Sequence, residues 1–249
     1  MELAYLVITG LLAGFVGSLF GLGGGIIIVP ALTLIFNVPV TIAVGTSLVS
    51  IVAVSTVAAI DYLKSGRADL ELGITLAAAA SLGAVTGGLL AEHIPARIIY
   101  VFFSIILLIA AVNMTQPKRI MLIDRKYDSA SHTAVGWGMS LVAGNISGIL
   151  GVGGGIIQIP MMRAVMKVPF KIATATSSYM IGITAAPAAV IYMLRGDIDT
   201  FKSAAIILGT FAGSRMGAAL SYRITSLLLR LLFVLIMIFT AYKMLVKGL

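Results

Sequence analysis

The chain has 249 residues, 60% hydrophobic and 10% charged, with a mean hydropathy of +1.12 and a formal net charge of +8. A soluble domain carries about 25% charged residues, so too few polar groups are present here to cover a water-facing surface, and a soluble globular protein is excluded. The absence of cysteine excludes disulfides, thiolate metal sites and thiol catalysis.

Met1-Glu2-Leu3-Ala4 lacks the basic start of a secretory signal and reads as the beginning of a membrane helix. The apolar pattern predicts five helical pieces, at 3–20, 25–37, 40–62, 72–91 and 95–113. A polar segment at 114–134 follows, with Lys118, Arg119, Arg125 and Lys126. Five further pieces are predicted at 135–150, 155–166, 170–193, 203–221 and 226–246. Runs such as Ala96 to Ala111 and Leu227 to Ala241 approach the length of a bilayer span. The alternation of barrel strands is missing. The expected class is an all-α polytopic membrane protein.

The two sets of five are copies. Shifting the sequence by 130 aligns Gly10–Val112 with Ser140–Tyr242 without a gap, with 29 identities in 103 positions. Matches include Gly14 with Gly144, Pro30 with Pro160, Val38-Pro39 with Val168-Pro169, Tyr62 with Tyr192, and Asp69 with Asp199. The expected organisation is a first membrane repeat at 1–113, a basic cytoplasmic linker at 114–134 and a second membrane repeat at 135–249. Because five is odd, the second copy is expected to be inverted. Basic residues agree when the N-terminus is outside. Lys64, Arg67, the four linker residues, Arg163, Lys167, Lys171, Arg223 and Arg230 make eleven inside; Arg97, Arg195, Lys202, Lys243 and Lys247 make five outside. The net positive charge is thereby explained by membrane orientation, and no nucleic-acid partner is implied.

The most informative match is "FGLGGGIIIVP", Phe20 to Pro30, with "LGVGGGIIQIP", Leu150 to Pro160. The piece after each glycine stretch is short. Residues 25–37 rise only about 18–20 Å, less than the hydrocarbon layer. A re-entrant hairpin is expected in each copy, with the tips Gly21–Gly25 and Gly151–Gly155 meeting near the midplane. Irregular backbone at that depth must line a cavity or be buried by protein. Each half-helix would begin there with amides that lack intrahelical partners and with the positive end of its dipole. Two such ends make an anion site. Gly21, Gly23, Gly24, Gly25, Gly151, Gly153, Gly154 and Gly155 are the candidate backbone contacts. Close helix packing is the competing reading of the glycines. A dinucleotide fingerprint fails because Ile26 stands where its third glycine belongs, and a phosphate loop fails for want of a lysine.

Side chains at matched positions extend the site. Thr46, Ser47, Thr176, Ser177 and Ser178 either face the substrate or bond a neighbouring helix. Asn145 and Gln158 have Phe15 and Ile28 as counterparts, an asymmetry that suits one asymmetric ligand; local capping is the alternative. Arg215, opposite Val85, either attracts the anion or snorkels to the interface. Asp61 is a weaker candidate, for a coupling proton. Asp69 and Asp199 read as helix caps. His93 and His132 fall in loops without a metal-binding spacing, and no metal or cofactor is expected.

The paired "GLGGGIIIVPAL" and "GVGGGIIQIPMM", each followed by Val-Pro and Thr-Ser, resemble the sulfite exporter TauE/SafE family, also called the toluene sulfonate uptake permease family. That resemblance implies movement of small sulfur-containing oxyanions such as sulfite or sulfonates, with the family's glycine motifs falling on Gly21–Gly25 and Gly151–Gly155. The expected function is secondary transport by alternating access in the cell membrane, without enzymatic activity. An anion channel using the same half-helix ends is the alternative. A small anion and the lipid bilayer are the expected partners, and a homo-oligomer is compatible with the sequence.

Overall fold

The computed structural model describes residues 1–66, 68–115, 131–220 and 226–249. Most of the expected linker, Arg67 and Arg223 lie outside the described residues. Ten helices follow in chain order: α1 Glu2–Phe20, α2 Gly25–Leu34, α3 Val40–Lys64, α4 Leu70–Ala91, α5 Ala96–Thr115, α6 Ser131–Leu150, α7 Gly155–Ala164, α8 Phe170–Leu194, α9 Thr200–Leu220 and α10 Ser226–Gly248. The chain is all-helical and polytopic in character. Among the described residues α1, α3, α4, α8 and α9 are long and apolar enough to cross a bilayer.

The boundaries have local causes. Pro39 and Pro169 stand just before α3 and α8 with extended ψ of 141° at both. Asp69 accepts from Leu72 N–H at 3.0 Å, and Asp199 from Lys202 N–H at 2.9 Å, so both carboxylates cap helix starts as expected. The half-helices α2 and α7 end at Leu34 and Ala164, shorter than the sequence pattern predicts. The chain leaves them through Asn37 and Lys167, at φ of 52° and 58°. That left-handed exit turns the backbone before the apolar pattern runs out.

Two pairs of helices lie side by side in parallel, each joining one copy to the other. Along α1 and α9, a methyl on Gly10 would overlap the Ile206 carbonyl, and one on Gly213 would overlap that of Leu11. Gly144 meets the Ala80 carbonyl and Gly87 that of Asn145 along α4 and α6. Residue numbers rise together in both pairs. Small residues four apart let the backbones touch, which is how membrane helices gain van der Waals contact when lipid removes the hydrophobic drive.

The centre is different. Gly45 backs on Tyr192, and Ser55 accepts from Gly182 N–H at 2.8 Å, so α3 and α8 cross antiparallel. These are the corresponding helices of the two copies. The crossing falls at Ile51 and Ile181, which both touch Gly23 and Gly153. Reciprocal bonds tie the crossing at its ends. Thr46 Oγ1 accepts from Asp199 N–H at 3.1 Å, and Thr176 Oγ1 from Asp69 N–H at 2.9 Å. Tyr62 donates to Ser18 O at 2.9 Å, and Tyr192 to Gly148 O at 3.0 Å.

The two ends of this arrangement carry different charges. At the α8–α9 loop, Lys202 contacts Asp199 at 2.6 Å and Glu2 at 3.8 Å, while Arg195 reaches Glu92 at 3.2 Å and the Gly88 carbonyl at 2.9 Å. The equivalents of Arg195 and Lys202 in the first copy are Ser65 and Leu72. Burial raises the Asp199 carboxyl, and the hydrogen bonds and charge of Lys202 more than offset it, holding the group below the usual carboxylate range.

Two outcomes follow for thermal unfolding in detergent. Gly144→Leu should lower the melting temperature sharply, by overpacking worth about 1–3 kcal/mol or more, whereas Gly138→Ala, with open space around it, should leave it within error. Asp199→Ala should remove about 0.5–2 kcal/mol of capping. Because the folded carboxyl lies below its unfolded value, its contribution is present above the ordinary carboxylate range and fades as pH falls through the lowered value; the stability gap between wild type and variant should narrow on acidification.

Candidate functional site

Each glycine stretch forms a tight turn between a full helix and a half-helix. Gly21 and Gly151 end α1 and α6 in the left-handed region, at φ of 69° and 68°. Gly24 and Gly154 then serve as N-caps of α2 and α7 with φ of 81° and 78°, a conformation that resists a side chain. Their carbonyls accept from Ile28 and Gln158 N–H, both at 3.1 Å. The Ile27 and Ile157 N–H groups donate to the same two carbonyls, at 2.9 and 3.1 Å, which leaves the amides of Gly25, Ile26, Gly155 and Ile156 without an acceptor in the helix. Pro30 and Pro160, in the middle of the half-helices, cannot donate back to Ile26 and Ile156.

The two turns meet. A methyl on Gly25 would overlap the Gly151 carbonyl oxygen, and one on Gly155 would overlap that of Gly21. The same two carbonyls each accept a hydroxyl from the opposite unit: Ser47 Oγ donates to Gly151 O, and Ser177 Oγ to Gly21 O, both at 2.8 Å. All ten residues of the two turns are buried. The N-terminal ends of α2 and α7, with their unpaired amides and positive dipole ends, therefore lie back to back inside the protein.

The remaining predicted side chains divide. Thr46, Ser47, Thr176 and Ser177 are fully buried, with hydroxyls engaged as described. They bond the opposite unit's loops and turns, the interhelix alternative of the sequence reading. Ser178 is buried with its hydroxyl unpaired. Gln158 is 0% exposed, and both polar atoms of its amide lack a partner. Its Nε2 lies 3.5 Å from where a methyl on Gly154 would stand. Asn145 is half-buried between α6 and α4 and donates to Thr86 Oγ1 at 3.0 Å, away from the turns. Arg215 is exposed on α9 beside a depression of about 520 Å³ that Asp61, Met216 and Ala219 also line. It is thus placed at the periphery with Asp61, not with the turns. Among the described residues no cluster of metal-ligating side chains occurs.

Sequence reasoning overlooked Ser147. Its hydroxyl is buried and unpaired on α6. The counterpart is Gly17, where a methyl would stand 2.5 Å from Gly24 N. A polar residue where the other copy has a glycine, one turn before the glycine stretch, was the available signal. The Tyr62–Tyr192 match was visible, but its role as a donor within each copy, to Ser18 near the end of α1 and Gly148 near the end of α6, required the fold.

A family model described as "Sulfite exporter TauE/SafE" matches residues 6–244. Several curated proteins carry the name "Probable membrane transporter protein". One from Bacillus subtilis, named with the suffix YunE, is 26% identical over 270 residues and covers 100% of this chain and 99% of its own length. Another, from Methanocaldococcus jannaschii, is 32% identical over 197 residues, covering 77% of this chain and 72% of its own. A second Bacillus subtilis protein, YdhB, is 24% identical over 216 residues, 85% of each chain. No solved structure matches the chain.

Ser47→Ala and Ser177→Ala should each lower stability by about 1–3 kcal/mol by leaving a buried carbonyl unpaired, and by similar amounts, since the two bonds are reciprocal. Thermal or denaturant unfolding of the purified protein checks both.

Proposed function

Because the chain belongs to the sulfite exporter TauE/SafE family, we propose that it carries small sulfur-containing oxyanions, sulfite or a sulfonate, across the cell membrane by alternating access. It is a multi-pass membrane transporter and not an enzyme. The observation that carries the proposal is the contact between the two glycine turns, which sets the amide-bearing ends of α2 and α7 together at the crossing of α3 and α8. Preorganised N–H donors in a low-dielectric interior favour a negative guest. A cation carrier would want buried carboxylates there, and among the described residues none is buried.

In this proposal the units 1–113 and 135–249 are inverted repeats joined by a cytoplasmic linker, with the N-terminus outside. The antiparallel crossing of corresponding helices supports the inversion, because helices normal to the bilayer that swap direction are related by an axis in its plane. The buried turns favour a carrier over the channel alternative. An open pore needs a continuous wet path, and here the irregular backbone is enclosed by Ile51 and Ile181.

Uptake into proteoliposomes of sulfite, sulfate, thiosulfate and a sulfonate, with and without a pH gradient, tests the proposal. Saturable flux of a sulfur oxyanion is expected. Flux that never saturates would favour the channel, and no anion flux would overturn the reading. Gly154→Ala should reduce flux at least tenfold while the protein stays folded, since nothing lies closer than 3.5 Å to the added methyl but φ is positive. Gly24→Ala meets the Ala13 carbonyl at 2.8 Å and is expected to lose stability as well.

A further inference from the structure

The two halves of the central site are built on the same backbone but are chemically unequal. In the first, the turn is closed. Leu22 N–H donates to Gly17 O at 2.9 Å, and a methyl on Gly24 would stand 2.8 Å from the Ala13 carbonyl oxygen. Ile28 is fully buried. In the second half a methyl on Gly154 would meet nothing closer than 3.5 Å, and Gln158 takes the place of Ile28. Ser147 stands where the first half has Gly17. The Gln158 amide and the Ser147 hydroxyl are buried without partners. Burying an unpaired amide is unfavourable. Beside α7 an open apolar depression of about 220 Å³ is lined by Ile106 and Ile109 of α5, Met139 of α6, and Ile156, Ile157 and Pro160, with Ile109 and Met139 exposed at its rim.

We infer that Gln158, on the α7 half, is the side chain that determines specificity, and that the favoured guest is an oxyanion retaining one O–H. The inference rests on the anion reading above and names its guest more narrowly. The first-turn amides of α7 supply donors for the charged oxygens. The Gln158 amide then adds one donor and one acceptor on the same edge. A fully ionised oxyanion satisfies the donor and repels the acceptor. A hydrogen oxyanion satisfies both, its O–H donating to the amide oxygen. A site built to bond an O–H discriminates strongly against a ligand that lacks it, because its own acceptor is then left unpaired.

The test uses the full chain in proteoliposomes at a mildly acidic pH, equal on both sides, where sulfite is singly protonated. Sulfite is compared with methanesulfonate, an anion without an O–H. For Gln158→Leu we expect the KM for sulfite to rise at least tenfold and that for methanesulfonate to stay within threefold, with an unchanged or higher melting temperature because an unpaired polar group has been removed. Gln158→Met, closer in length, repeats the measurement should the leucine variant fold poorly. Ile28→Leu, at the matched position, should stay within threefold of wild type for both anions. An unchanged sulfite KM in a folded Gln158 variant overturns the inference. So does an equal loss for both anions, which marks a bracing role, or an Ile28→Leu effect as large as that of Gln158→Leu, which marks two equivalent halves. Wild type that carries neither anion removes the transport reading itself, an outcome distinct from any Gln158 result.

Discussion

The structure depends on one constraint: backbone that leaves the helix inside a membrane must find its hydrogen-bond partners within the protein. Each glycine turn breaks two helices and exposes carbonyls that no intrahelical amide reaches. Ser47 and Ser177 answer this across the interface, each donating to the turn of the other unit. The Gly21 and Gly151 carbonyls each take a hydroxyl donor from the other copy. A single unit would leave the Gly21 or Gly151 carbonyl buried and bare, and the close seating of Gly25 on that carbonyl would have no partner surface. Duplication of the sequence is therefore a structural requirement of the turn as well as a feature of descent. The matched Thr-Ser pairs are the trace of that requirement in the sequence. In each pair the serine serves a turn and the threonine serves the amide before a helix start in the other copy.

The same exchange governs the outer helices. α1 lies on α9 and α4 on α6, so the strongest contacts within the bundle run between copies. Glycines spaced four apart make those contacts backbone to backbone, with little side-chain freedom to absorb a shift. The α3–α8 crossing, in contrast, is made by side chains, chiefly Ile51, Ile181 and the bridging Ser55. In the proposed alternating access, the backbone-to-backbone pairs are the bodies and the side-chain crossing is the seam between them. Interfaces of this kind move between discrete packings instead of deforming continuously.

How much of this was legible in the sequence follows from which forces are local. Helix starts at Pro39, Asp69, Pro169 and Asp199 were readable because a cap or a fixed φ acts within a few residues. The turns were readable because only glycine tolerates the φ values found at Gly24 and Gly154. The ends of α2 and α7 were overrun because Asn37 and Lys167 adopt left-handed backbone without the glycine that usually announces it. The Gly10–Gly14 and Gly209–Gly213 spacings do mark contact faces, but they do not say which helix each face meets. The polar candidates behaved likewise: Thr46 and Ser47 are adjacent, yet one bonds a loop at the end of the bundle and the other a turn at its centre. Arg215 was singled out by its place within a helix and Asn145 by its apolar counterpart Phe15 beside the glycine stretch, and neither signal says whether a side chain points inward.

The backbone is nearly two-fold, and the side chains are not. Reciprocal bonds at Ser47 and Ser177, at Tyr62 and Tyr192, and at Thr46 and Thr176 differ by at most 0.2 Å in length between the copies. A two-fold scaffold by itself would give two end states, open to either side, of equal energy. Two groups of departures fall at one end and at the centre. At one end Arg195 and Lys202 gather Glu92, Asp199 and Glu2, with Lys247 reaching the Thr33 carbonyl at the end of α2; their first-copy counterparts Ser65 and Leu72 carry no charge. At the centre Gln158 and Ser147 replace Ile28 and Gly17. Ion pairs at an exposed end are individually weak, but they act on a balance that symmetry has already brought near zero, where small increments decide the population. In the proposed function the polar groups at the centre, Gln158 and Ser147, act on the guest, where donor and acceptor placement discriminates between anions. Duplication thus supplied two matched halves, and the polar substitutions of the second half are where the proposed carrier departs from symmetry.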